Sequence, residues 1–130
     1  MAWDNPQFIT GLTASADLSA AANQFKFVEL SGDGTVNVCD ATTDSPIGVL
    51  YNRPKSGESA QVAYGVVKVQ GDADLDAGHL IGTSVDGQAA NYSVTDTTKT
   101  ICGKVLVGNA AAAGLVTAFV LPGGFRGPIA

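Results

Sequence analysis

Basic residues are scarce in this chain of 130 residues: seven lysines and arginines stand against twelve acids, for a net charge of −5. Of these only Arg53 and Lys55 lie close together, with Lys26, Lys68, Lys99, Lys104 and Arg126 scattered. Phosphate-backbone recognition needs a basic patch, so nucleic-acid binding is excluded as an expectation. There is a single histidine, His79, which leaves one candidate base for the whole chain and no histidine pair for a metal. Two cysteines, Cys39 and Cys102, form no CxxC motif. They could pair, but free buried thiols suit a protein made in a reducing cytoplasm. Long apolar runs are also missing. The longest, from Ala110 to Leu121, is interrupted by Gly114 and Thr117 and is too short to cross a bilayer. The opening "MAWDNPQF" lacks the basic and apolar regions of a secretory signal. Neither membrane nor export is expected.

Helical periodicity is absent too: no dozen residues repeat apolar positions every 3.6. What the sequence has instead is 16 glycines and 45% hydrophobic residues, with only 15% charged against roughly 25% in typical soluble domains. "FKFVELSGDGTVNVCD" and "HLIGTSVDGQAANYSV" alternate apolar and polar residues around Asp33-Gly34 and Asp86-Gly87, which predicts β-hairpins. "IGVLYN" and "AQVAYGVVKV" are β-branched and aromatic runs parted by "RPKSG". The fold expected is all-β, a compact small barrel or sandwich.

The hairpins belong to a larger repeat. Ala16-Asp17-Leu18 recurs as Ala73-Asp74-Leu75, Asp33-Gly34 as Asp86-Gly87, Thr42-Thr43 as Thr97-Thr98, Gly48 as Gly103, and Gly57 as Gly114. Matches in the same order at nearly constant offset indicate duplication. The expected organisation is an N-terminal arm over 1–12, one β domain over 13–121 built of units at about 16–65 and 73–121, and a C-terminal tail over 122–130. On this reading "RPKSGES" is a loop whose counterpart, "VGNAAAAG", has lost its polar groups. A loop with chemistry in one copy only is better read as structural.

The tempting motifs fail individually. "PKSG" lacks the leading glycine and following helix of a phosphate loop. Gly57-Glu58-Ser59-Ala60-Gln61 has Gln61 where a nucleophile elbow needs glycine. An enzyme would have to use Ser59 with His79. Asp72, Asp74 and Asp76 alternate like the start of a calcium loop, but Ala77 and Thr83 stand where that loop needs glycine and glutamate. A solvated acidic edge is the plainer reading, with weak cation binding as the alternative. No catalytic, cofactor-binding or metal-ligating residue is assigned.

The aromatics divide in two. Phe8, Phe25, Phe27, Tyr51, Tyr64, Tyr92 and Phe119 mostly fall in predicted strands and read as core. Trp3 and Phe125 lie in the Pro- and Gly-bearing ends, where a free tail has no need of an aromatic and a docked one gains about 2–3 kcal/mol by burying it. The candidate partner contacts are therefore Trp3, Phe8, Ile9 and Phe125.

"ADLSAAANQFKFVELSGDGTV", "DSPIGVLYNRPKSGESAQVAYGVVKVQ", "LDAGHLIGTSVDGQA" and "ICGKVLVGNAAAAGLVTAFVLPGG" together resemble the small decoration, or cement, proteins of tailed-bacteriophage capsids. The resemblance spans about residues 12–124 and rests on strand pattern, with no chemical motif. It implies a structural, non-enzymatic protein without cofactors, made in the host cytoplasm and placed on the outer surface of the virion. Its partner would be the major capsid protein of the expanded head, bound by a homotrimer at three-fold or quasi-three-fold sites that clamps neighbouring subunits. Three linked copies would bind by avidity. The competing expectation is another virion surface, tail or fibre module that binds a sugar or receptor.

Overall fold

The computed structural model describes residues 3–92, 99–109, 111 and 113–121. Phe125, the rest of the 122–130 tail and the Thr97-Thr98 pair lie outside the described residues. The described chain is all-β, as its period-two pattern requires, with one 3-10 turn at Ala21–Asn23 and no α-helix among the described residues. No helix among the described residues is long and apolar enough to cross a membrane. The strands are β1 (Asn5–Ile9), β2 (Thr13–Ala14), β3 (Phe27–Gly32), β4 (Thr35–Val38), β5 (Gly48–Leu50), β6 (Val62–Gln70), β7 (Leu80–Thr83), β8 (Ala89–Asn91), β9 (Gly103–Val107) and β10 (Leu115–Val120).

All ten belong to one open sheet in the order β2-β4-β3-β5-β6-β10-β9-β7-β8, with β1 added to β6 off that path. Within it, β4-β3-β5-β6 is mirrored by β8-β7-β9-β10, while β2 at the first end has no counterpart strand among the described residues at the other. The registers agree. Val28 faces Gly48 across β3 and β5, and Ile81 faces Gly103 across β7 and β9. Both hairpin turns carry a left-handed glycine, Gly34 (φ 70°) and Gly87 (φ 79°), which is why each turn is Asp-Gly. Each half curls until one isolated bridge joins its ends, Thr13 to Ser59 in the first and Gly71 to Ala89 in the second. Single bridges, not ladders, link those ends, which leaves the sheet open.

The core repeats along with the strands. Leu18, Val28, Val36, Leu50 and Val62 form the interior of the first half. At matching strand positions Leu75, Ile81, Ala89, Val105 and Ala118 line the interior of the second. The halves are not independent. Phe27, Cys39, Val49 and Ala63, from the opposite face of the first half, complete the second half's cluster. Phe27 also donates its N–H to Gly87 O at 2.7 Å. Cys39 and Cys102 are both free and buried in that shared cluster.

Two of the repeated glycines have a steric cause. A Cβ on Gly48 would stand 2.5 Å from Ala63 O, and one on Gly103 2.6 Å from Phe119 O. Ala63 and Phe119 are themselves equivalent, lying opposite the residue that follows each glycine. The backbone approaches too closely at both places for any side chain.

Candidate functional site

The N-terminal arm is a strand of this sheet. β1 runs antiparallel to β6 from Asn5 opposite Val66 to Ile9 opposite Val62. β6 pairs with β5 through Val62–Ala63 and with β10 from Gly65 to Gln70. β1 therefore spans the point where β6 passes from a first-half partner to a second-half partner, and ties the halves together.

Side chains reinforce the ladder. The N–H of Trp3 donates to Thr117 Oγ1 at 2.7 Å, and that hydroxyl donates to Trp3 O at 2.6 Å. Thr117 is fully buried, so this exchange satisfies its hydroxyl. The Tyr51 hydroxyl donates to the Asp4 carboxylate at 2.7 Å and accepts the N–H of Lys68 at 2.8 Å. Burial, with the Asp4 carboxylate beside it, pushes the Tyr51 phenol up and keeps it a donor. Phe8 meets the Tyr51 ring edge-on at 5.7 Å, and Phe25 does so at 5.1 Å.

Anchored in this way, the arm still shows its aromatics to solvent, with Trp3 51% and Phe8 46% exposed. Ile9 is half-buried and packs on the first-half core. A shallow groove of about 260 Å³ follows, lined by Phe8, Ile9, Thr10, Gly11, Ser59, Ala60 and Gln61. Of the expected contact residues, Phe8 and Ile9 lie on β1 and Trp3 just before it.

The register places a further row across four strands: Asn5, Val66, Phe119 and Lys104, on β1, β6, β10 and β9. Phe119 and Leu106 are exposed on this side. Val49 and Ala63, the first-half equivalents of Lys104 and Phe119, are fully buried under the second half. The same face of the repeat is covered in one copy and open in the other. The expectation that the strand aromatics are core therefore holds fully for Phe27 and Tyr92, which are buried. It fails for Phe8 and Phe119, which lie on strands but on the solvent side.

Two of the residues weighed for chemistry make hydrogen bonds within the fold, Ser59 through its backbone. His79 Nδ1 accepts the N–H of Asp76 at 3.1 Å. The peptide carbonyl of Ser59 accepts Asn52 Nδ2 at 2.9 Å. Asp72 lies in a bend and Asp74 and Asp76 in irregular chain outside any strand, with Leu75 between them buried as the counterpart of Leu18.

Glu29, Cys39 and Asp44 place ligand atoms within 4.8 Å of one another. Glu29 and Asp44 line a cavity of about 460 Å³ with Leu30, Thr43, Ser45 and Ile47. Burial pushes the Cys39 thiol up, so it supplies no thiolate. The Glu29 carboxyl is pushed up to about 7, first by burial and then by its hydrogen bond with Asp44.

Sequence reasoning missed one duplicated device. Asn52 donates to Ser59 O and accepts the N–H of Gln61, at 2.9 Å each. Asn109 donates to Ala111 O and Gly114 O at 2.9 and 2.8 Å, and accepts the N–H of Leu75 at 2.8 Å. Each asparagine lies five residues before a repeated glycine, Gly57 or Gly114, and closes the loop between the two long strands of its unit.

The described residues thus place exposed aromatics, Trp3, Phe8 and Phe119, on or beside the strands of one all-β sheet. No protein-family model matches the chain, and no curated protein matches it in sequence. Among solved structures it is similar to the N base of the head fiber protein gp8.5 of bacteriophage phi29. The likeness has a TM-score of 0.65 at 17% identity and covers 94% of this chain and 99% of that one. The two share a fold.

Proposed function

We propose that this protein is a structural, non-enzymatic component of a phage head, a decoration or cement protein bound to the outer surface of the expanded capsid. It clamps neighbouring major capsid subunits as a homotrimer at three-fold or quasi-three-fold sites. The observation that carries the reading is the shared fold over nearly the whole length of both chains, the other protein being a phage head fiber base. The exposed Trp3 and Phe8 support contact through the arm, and Phe125 belongs to the same proposal from sequence alone. Because one edge of β1 is already bonded to β6, a capsid strand would add to its other edge.

The test is binding to purified capsids stripped of accessory proteins, followed by imaging. Density at three-fold sites and a shell more resistant to heat support the reading. Absence of binding to any mature shell refutes it. The Trp3→Ala, Phe8→Ala double variant should bind weakly while remaining folded. Truncating residues 1–8 is less clean, since it also removes most of a ladder.

A second reading, the base of a fibre whose outer part binds a sugar or receptor, is favoured by the phi29 protein's being the base of a head fiber. Imaging separates the two, because a fibre base carries density projecting away from the shell and a cement protein lies flat between subunits.

A further inference from the structure

The loop between β4 and β5, residues 39–47, is tied to its strand in an unusual way. Asp44 organises the loop from within. Its Oδ2 accepts the N–H groups of Asp40 and Ala41 at 3.0 Å each, and its own N–H donates to Ala41 O at 3.1 Å. Beyond the loop, Ile47 donates its N–H to Val28 O at 2.9 Å, which joins the far end to β3.

Between these points the loop's side chain contact with β3 is acid against acid. The Asp44 and Glu29 carboxyls place oxygens within 4.8 Å of each other. Glu29 Oε2 is shut off from solvent and has no hydrogen-bond donor facing it among the described residues. The groups that bear on Glu29 are Asp44 and Asp40 from the loop and the thiol of Cys39 at the end of β4. Thr83 of β7 and the thiol of Cys102 lie beyond Cys39. No lysine or arginine is among them. Two carboxylates cannot hydrogen-bond each other unless one keeps a proton, and no cationic side chain among the described residues that bear on Glu29 replaces it.

We propose that Glu29 and Asp44 share one proton that holds the 39–47 loop on β3, and that losing this proton releases the loop. Asp44 is the ionised partner, since its Oδ2 already accepts the two loop N–H groups, as a carboxylate does, and its carboxyl is held below the usual range. Glu29 is the acid that donates. Release opens the cavity beneath the loop and uncovers Ile47 beside the already exposed Leu30. An apolar patch on this face would then be shown at higher pH and covered at lower pH. The device does not depend on which particle, if any, carries the protein.

The experiment is amide hydrogen exchange on the full chain between pH 5 and 8.5, with rates corrected for their intrinsic pH dependence. Protection of the Asp40 and Ala41 amides should fall about tenfold or more across neutrality, while that of the Val67 and Val105 amides stays constant. In Glu29→Gln the carboxamide donates to Asp44 at every pH, so protection at Asp40 and Ala41 should stay flat. Flat protection in the natural sequence overturns the proposal, as does an undiminished pH response in the Gln variant. If that variant does not fold, carboxyl NMR on the natural sequence decides: a Glu29 titration near 7 sustains the shared proton, and one near 4.5 ends it.

Discussion

The duplicated glycines allow a prediction in which two distant sites must behave alike. Replacing Gly48 by alanine puts a Cβ 2.5 Å from Ala63 O and 2.7 Å from Val62 Cγ1. Replacing Gly103 puts one 2.6 Å from Phe119 O and 3.1 Å from Val120 Cγ2. Carbon and carbonyl oxygen ordinarily approach no closer than about 3.3 Å, so each variant must open its ladder by roughly 0.7 Å. The obstacle is backbone in both, and no rotamer change relieves it. Overpacking of a core costs about 1–3 kcal/mol, and these sites belong at the upper end, at about 3 kcal/mol each. For a domain of this size that corresponds to a fall in Tm of roughly 10 °C. Thermal and urea unfolding of the two single variants would measure it. A loss under 1 kcal/mol in either would refute the close-approach argument. A large loss in one beside tolerance in the other would refute the equivalence of the two sites.

Other consequences follow from particular contacts. Tyr51→Phe removes a hydroxyl that serves both Asp4 and the Lys68 N–H, and should cost about 1–2 kcal/mol in urea unfolding. With Asp4→Ala it should be strongly non-additive, whereas additive losses would show that the arm is not held through this bond. Asn109→Ala removes three hydrogen bonds that close a loop and should cost about 2–3 kcal/mol, more than Asn52→Ala. Neither buried thiol should react with a maleimide in the native state, Cys102 being pushed up to about 12 by burial. Both should react fully in urea, and rapid native labelling would contradict their burial. Stability should also follow the Glu29 carboxyl. Its proton is bound more tightly in the folded chain, so its contribution is full below about 4.5 and is lost as pH rises to about 7. Water at the loop screens that contribution to about 1–2 kcal/mol, read as the difference in pH profile between the natural sequence and Glu29→Gln. Asp44 has the opposite sign, its stabilisation present at neutral pH and lost in acid.

The all-β class and the duplication were legible because both are written in local pattern. Alternation around Asp33-Gly34 and Asp86-Gly87 needs only neighbouring residues, and both turns formed where the pattern put them. The pairing of "NPQFI" with β6 was not legible, since that segment does not alternate and its partner lies more than fifty residues away. Burial of Phe8 and Phe119 was misjudged for a related reason. Strand pattern says which residues share a face, but not which face the rest of the molecule covers. Asn52 and Asn109 could have been found, because their spacing to Gly57 and Gly114 is identical. Side-chain loop closure carries no periodicity, so a search for alternating runs passes over it. The Glu29–Asp44 contact joins a strand to a loop fifteen residues on, and nothing in either local sequence announces it.

The asymmetry between the two units bears most directly on what the protein does. Both keep the same inner positions, from Leu18 and Leu75 to Val62 and Ala118, because each must fill its own curl of sheet. They differ on the opposite face. In the first unit that face carries Phe27, Val49 and Ala63 and is buried by the second. In the second unit the equivalent strands carry Leu80, Lys104 and Phe119, the last two open to solvent. Replacing Val49 by lysine in the first unit would bury an unpaired charge and should unfold the domain. Lys104→Val in the second should be tolerated within about 0.5 kcal/mol, as surface substitutions usually are. If binding to stripped capsids runs through this outer face, Leu106→Asp will weaken it without lowering Tm. Unchanged capsid binding would confine the contact to the arm.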